Sequence, residues 1–138
     1  MNDNLNDVLK LINEIKKIHD RDYIEVTGDM ADSIFQYRYC YYFALLLQKF
    51  YPNGELYMKN DGSHVVLKID DYLYDSMGSI FEYKSDYHPF REEDLLVLEI
   101  SMLPKDEYQR QKMNNFVNEM YEKIKNEYLN KEENKIRR

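Results

Sequence analysis

A chain of 138 residues fits one domain and can bury a core without disulfide or metal staples. Its 19 basic and 26 acidic residues leave a formal charge of -7, which repels a phosphate backbone and argues against nucleic acid as a partner. The single cysteine excludes an internal disulfide, no apolar run reaches the roughly 18 to 20 residues of a bilayer span, and the opening MNDNLNDVLK lacks the features of a secretory signal. A cytoplasmic protein with no membrane association is the expectation.

From Asn4 to Ile18 the apolar residues Leu5, Val8, Leu9, Ile12, Ile15 and Ile18 recur every three or four positions, which predicts an amphipathic helix. After Gly28, Asp32-Ser33 caps a second helix running to about Tyr51, where Pro52-Asn53-Gly54 stops it. The stretch Tyr39-Cys-Tyr-Tyr-Phe-Ala-Leu-Leu-Leu47 is apolar on nearly every side, as in a helix surrounded by the rest of the fold. Glu55 to Lys59, His64 to Ile69 and Tyr72 to Asp75 are short and rich in β-branched or aromatic residues, predicting a β-meander with turns at Asn60-Asp-Gly62 and Asp70-Asp71. Residues 79 to 92, with Tyr87-His-Pro-Phe90, read as irregular; Leu95 to Ile100 fits a strand or a helical turn after Arg91-Glu-Glu-Asp94. From Lys105 onward Met113, Phe116, Val117, Met120, Tyr121, Ile124 and Tyr128 mark a long amphipathic helix, and the tail from Lys131 to Arg138 reads as a solvated end. The expected fold class is α+β in one domain, 1–138, divided into an N-terminal helix and connector (1–32), a core (33–78), a loop-rich segment (79–104) and a C-terminal helix and tail (105–138).

The meander permits a chemical test on paper. A hairpin looped at Asp70-Asp71 sets Ile69 opposite Tyr72 and therefore Val66 opposite Asp75. Side chains alternate with period two, so His64 shares the face of Val66 and stands one diagonal step, roughly 7 to 8 Å between Cα atoms, from Asp75. A carboxylate there would orient the imidazole and fix its tautomer, leaving the other nitrogen to exchange a proton with a nucleophile. Cys40, near the start of the buried helix, can draw thiolate character from the helix dipole and from an imidazolium at His64.

A Cys opening a buried helix, a His starting a strand and an Asp on the next strand, as in Tyr39-Cys-Tyr-Tyr-Phe-Ala-Leu-Leu-Leu47, Ser63-His-Val-Val-Leu-Lys-Ile69 and Tyr72-Leu-Tyr-Asp-Ser-Met-Gly78, resembles the papain/transglutaminase-like superfamily. The resemblance covers residues 33 to 78 and implies a small papain/transglutaminase-like core, a buried Cys-bearing helix against an antiparallel meander. It further implies Cys40 as nucleophile, His64 as base and acid, Asp75 as orienter, acyl transfer from an amide or ester through a thioester, and no metal or organic cofactor. Tyr41 stands where many members carry Trp. Gln36, one helical turn before Cys40, is the nearest candidate for the oxyanion hole.

Each of these residues also has an ordinary structural reading: Cys40 as a small core residue, His64 as a strand-edge residue after Asp61-Gly-Ser63, and Asp75 as a turn residue before Ser76-Met-Gly78. His19 reads as a cation in the last turn of the first helix, and His88, before Pro89, as a loop residue able to replace His64 as base. One Cys and three scattered His offer no zinc-ligand pair, and four scattered Gly form no phosphate loop. The 14 tyrosines, with Tyr37, Tyr39, Tyr41 and Tyr42 around Cys40, suit core and rim packing or a recognition surface. The readings carried forward are a cysteine hydrolase or acyl transferase acting on a protein or peptide, and a non-catalytic binding or inhibitor module on the same scaffold, mobile-element encoded; a toxin that modifies a host protein is a third. Oligomeric state is left open.

Overall fold

The computed structural model describes residues 2–80 and 84–131. Its first helix, α1 (Leu5–Asp22), is capped by Asn4, whose side-chain oxygen accepts from the Asp7 N–H at 2.9 Å. The stripe read from the sequence, with Leu11 added, buries Val8, Ile12, Ile15 and Ile18, and the helix runs a further turn, so that His19 lies inside it and is fully buried. A short turn of helix, α2 (Ile24–Thr27), leads to α3 (Ala31–Tyr37).

The single helix expected over residues 33 to 51 is two. α3 ends at Tyr37, the chain turns through Arg38 and Tyr39, and α4 (Cys40–Phe50) starts afresh with Cys40 as its first residue. Aromatic residues lose side-chain freedom in a helix, so the Tyr-rich run from 37 to 42 gains little from continuing one. That preference is worth at most about 0.7 kcal/mol per residue, whereas burying Phe43, Leu46, Leu47 and Phe50 is worth about 2 kcal/mol each. Packing therefore decides where α4 lies, and the chain bends at its weakest helical point to put it there. Tyr39 goes into the core at the bend, edge-on to Tyr42 with ring centroids 5.6 Å apart.

The sheet has strands β1 (Glu55–Lys59), β2 (Val65–Ile69), β3 (Tyr72–Asp75), β4 (Gly78–Ser79) and β5 (Tyr87–Pro89), all neighbours antiparallel, in the order β4-β3-β2-β1-β5. The β2–β3 hairpin has the expected register, with Ile69 opposite Tyr72 and Leu67 opposite Tyr74. Asp70 turns it with φ of 53°, a left-handed conformation that Asp tolerates better than most side chains. At the other end Gly78, φ 114°, makes the tight return from Asp75 into β4. Of the two edge strands, β5 and the second residue of β4 fall within the segment read as irregular. They are short, and β5 contains a proline, which an edge strand tolerates because one row of its backbone groups is unpaired. The connection between them joins opposite edges of the sheet; residues 81 to 83 of it lie outside the described residues.

Met58, Val65, Leu67, Ile69 and Tyr74 point from one face of the sheet into a core shared with α1, α3, α4 and the last helices. Val66, Leu73 and Tyr87 form a smaller cluster on the other face, with Tyr57 and Ile80 against it. The segment around Leu95 is helical, α5 (Glu92–Ser101), opened by the Arg91 N–H donating to the Asp94 carboxylate at 2.9 Å. The long helix α6 (Glu107–Ile124) buries Met113, Phe116, Val117, Met120 and Ile124, and continues as a π-helical turn over Lys125–Leu129. Glu132 to Arg138, the rest of the expected tail, lie outside the described residues. No helix among the described residues is long and apolar enough to cross a membrane.

Candidate active site

Helix α4 packs along β2 in the same direction. Its carboxyl end, Phe50 and Tyr51, lines a hollow with Ile69 and Asp70 at the end of β2, and its first residue, Cys40, meets His64 immediately before the start of β2. β3 runs back antiparallel, so its last residue, Asp75, returns to the same place. Three segments distant in sequence thus end at one point because one buried helix lies parallel to one central strand.

His64 is held there by its own carbonyl, which accepts from the Lys59 N–H at 2.8 Å, and by the turn before it, where the Asp61 carboxylate accepts from the Ser63 N–H at 3.0 Å. Its Nε2 is 2.9 Å from Asp75 Oδ2. The Cys40 thiol lies beside the same ring, close enough to bear on its titration. Burial works to lower the pKa of His64, but the bond to Asp75 and the neighbouring Cys40 outweigh it and push it up from 6.5 to about 9. The ring is therefore an imidazolium at neutral pH.

Asp75 divides its two oxygens. Oδ1 accepts from the Met77 N–H at 2.8 Å, a turn made by its own side chain, while Oδ2 takes His64 and the Gln36 amide at 3.1 Å. Burial opposes its charge, yet the donors from His64, Gln36 and Met77 hold its carboxyl below the usual range. The Ser76 hydroxyl, fully buried, donates to Gln36 Oε1 at 3.1 Å and fixes the amide. Asp75 is thus the turn residue and the partner of His64 at once.

Gln36, expected near an oxyanion hole, sits on α3 rather than in the helix of Cys40, and its amide serves Asp75. What α4 offers instead is an amino end that no side chain caps, leaving the N–H groups of its first turn without intrahelical acceptors beside the Cys40 sulfur. A residue missed in the sequence closes the site. Met102, at the carboxyl end of α5, brings its sulfur to 4.0 Å from Cys40 Sγ, and Cys40 is 2% exposed beneath it. Nothing in the local sequence signals this contact, since it bridges elements 62 residues apart.

His88 is no loop residue: it pairs with Met58 in β5, and its ring nitrogens meet Asn60 Oδ1 at 2.7 Å and Asp94 Oδ2 at 2.8 Å. Its two nitrogens are thereby occupied away from the thiol. His19 lies in the last turn of α1, as expected, and is buried there; its nitrogens contact Asp20 Oδ1 at 2.9 Å and Thr27 Oγ1 at 2.7 Å, and its ring meets Phe35 at 4.8 Å. Of the four tyrosines around Cys40, Tyr39 and Tyr42 are buried, Tyr41 stacks on Phe90 at 5.9 Å and Tyr37 stands in solvent. Among the described residues no group of three or more His, Cys, Asp or Glu side chains is placed to hold a metal ion.

Compared with known proteins, residues 11–128 match the model of one family, described as Phage YunG-like protein. No curated protein and no solved structure matches the chain.

Proposed function

We propose, for a chain that belongs to the Phage YunG-like protein family, that it is a cysteine-dependent hydrolase or acyl transferase of papain/transglutaminase-like type, working in a reducing cytoplasm on an amide or ester of a protein or peptide. The observation that carries this reading is His64 paired with the Asp75 carboxylate at 2.9 Å, with Cys40 beside the same ring. In the proposed reacting form, His64 holds the proton given up by the Cys40 thiol. The thiolate attacks the carbonyl carbon, a C–S bond forms, and the carbonyl electron pair moves to oxygen. N–H groups at the amino end of α4 face that developing charge. Collapse breaks the bond to the leaving nitrogen or oxygen, which takes the proton from His64 Nδ1. The neutral ring then removes a proton from water or an amine as it attacks the thioester. Carboxylic acid or new amide leaves, and the thiolate–imidazolium pair is restored. Asp75 keeps the ring oriented throughout and stabilises its charged form.

One observation favours the non-catalytic module instead: Cys40 is covered by Met102. A small electrophile separates the two readings. Iodoacetamide should alkylate Cys40 near pH 7 faster than a free thiol in solution, and His64→Ala should remove the advantage; Cys40→Ala supplies the blank. A rate no faster than the free thiol would leave the module as the better account.

A further inference from the structure

Large apolar side chains in solvent gather around this site. Tyr37 is 79% exposed and follows Gln36, whose amide holds Asp75. Met77 is 60% exposed and its N–H donates to Asp75. On α5, Leu96, Val97 and Ile100 are 61%, 43% and 76% exposed on one helical face. That helix is fastened to the site at both ends: Phe90, just before it, stacks on Tyr41 beside Cys40, and Met102, just after it, touches the Cys40 sulfur. Val97 also lies against the turn that presents His64, since a Cβ on Gly62 would meet its Cγ1 at 3.3 Å.

Charge says what fits here. α5 brings Glu92, Glu93 and Glu99 and no basic residue, Asp61 caps the neighbouring turn, and the whole chain carries -7. Two cations stand nearby: Arg38 lies over the Tyr39 ring at 5.5 Å, and Arg91, just before α5, reaches Glu93 and Asp94 at 3.6 Å, which leaves Glu92 and Glu99 as the carboxylates it does not meet. Exposed aliphatic side chains with acidic residues on both sides repel an acidic or purely polar segment and match one in which apolar residues alternate with Lys or Arg.

We propose that this apolar, acidic rim is the docking surface for the substrate's own chain, an apolar segment flanked by basic residues, laid across α5 toward Cys40. The inference rests on the thiol reading above and supplies its substrate class. Apolar side chains would bury Leu96, Val97 and Ile100 while Lys or Arg meets Glu92, Glu93 and Glu99. Entry of the scissile group requires Met102 to swing off the thiol, which an unbranched side chain at a helix end does readily.

The test uses the full chain carrying Cys40→Ala and three fluorescent peptides of about twelve residues, built from Leu/Lys, Leu/Glu and Ser/Lys. By anisotropy the Leu/Lys peptide should bind about tenfold or more tighter than the other two, and the pair Leu96→Ser and Ile100→Ser should remove about tenfold or more of that affinity. Replacing Glu92, Glu93 and Glu99 by Gln should weaken binding and flatten its salt dependence, while Tyr72→Ser, at the far end of β3, should leave it unchanged. With Cys40 present, the Leu/Lys peptide should slow alkylation by iodoacetamide. Equal binding of the Ser/Lys peptide, indifference to the two Ser substitutions, or a dimer dissolved by them would overturn the docking surface, the last by naming a second copy as occupant. The two proposals fail separately. An unreactive Cys40 with stripe-dependent peptide binding defeats the enzyme and keeps the surface; a reactive Cys40 with stripe-independent binding does the reverse.

Discussion

Asp75→Asn tests the site where its energetics are most legible. In the folded protein His64 titrates at about 9 against an ordinary value of 6.5, a preference for the charged ring worth roughly 3 kcal/mol. The Asp75 carboxylate and Cys40 both contribute to it, whereas burial opposes it, so removing the Asp75 charge without changing the shape should lower the ring from about 9 toward its ordinary value. A full return to 6.5 would cut the imidazolium fraction about fourfold at pH 7 and about 30-fold at pH 8, which bounds the expected fall, and Cys40 alkylation should fall with it if the ion pair is the reacting form. Stability carries the same signature. A group whose pKa is raised on folding stabilises fully below its unfolded value, so the His64 contribution is complete below pH 6.5 and is lost as pH rises through about 9. In the wild type, unfolding free energy should decline across that window by at most roughly 3 kcal/mol, and in Asp75→Asn the decline should be smaller. Ring resonances of His64 followed by NMR, with urea unfolding at several pH values, give both numbers. A midpoint near 6.5 in the wild type, or one unmoved in the variant, would refute the reasoning.

Two further substitutions probe what supports the pair. Gln36→Ala removes a donor from Asp75 Oδ2 and the acceptor of the buried Ser76 hydroxyl, and should cost about 1 to 3 kcal/mol by urea unfolding while moving the Asp75 carboxyl back toward its usual range. An unchanged stability would mean that the amide does not hold the carboxylate. His19→Phe keeps a ring against Phe35 and Phe116 but removes one hydrogen bond each from Thr27, which keeps the Tyr23 and Asp29 carbonyls, and Asp20, which keeps the Ala31 N–H; it should cost about 1 to 2 kcal/mol with the Cys40 alkylation rate intact, and a lost rate would tie this distant core residue to the site.

The hairpin shows how much of the site the sequence could determine. Antiparallel register follows from a two-residue loop and period-two alternation, both local, so Ile69 opposite Tyr72 and the meeting of His64 with Asp75 follow from counting. The amphipathic helices α1 and α6 were legible for the same reason, since a stripe at period 3.6 declares one buried face. A continuous apolar run, by contrast, says that a segment is buried without saying how it is divided, and only packing against β2 set the break at Arg38 and Tyr39 that makes Cys40 the first residue of α4. Strands β4 and β5 escaped detection because two or three residues carry no period and edge positions accept proline. His88 is a strand residue rather than a loop residue because its pairing with Met58 and its bond to Asn60 come from a strand and turn distant in the chain. Residue types and local periodicity thus determined the α+β class and the pair of side chains that face each other. Long-range packing decided the helix start at Cys40, the Gln36 support of Asp75 and the Met102 cover, because each joins segments that no local pattern connects.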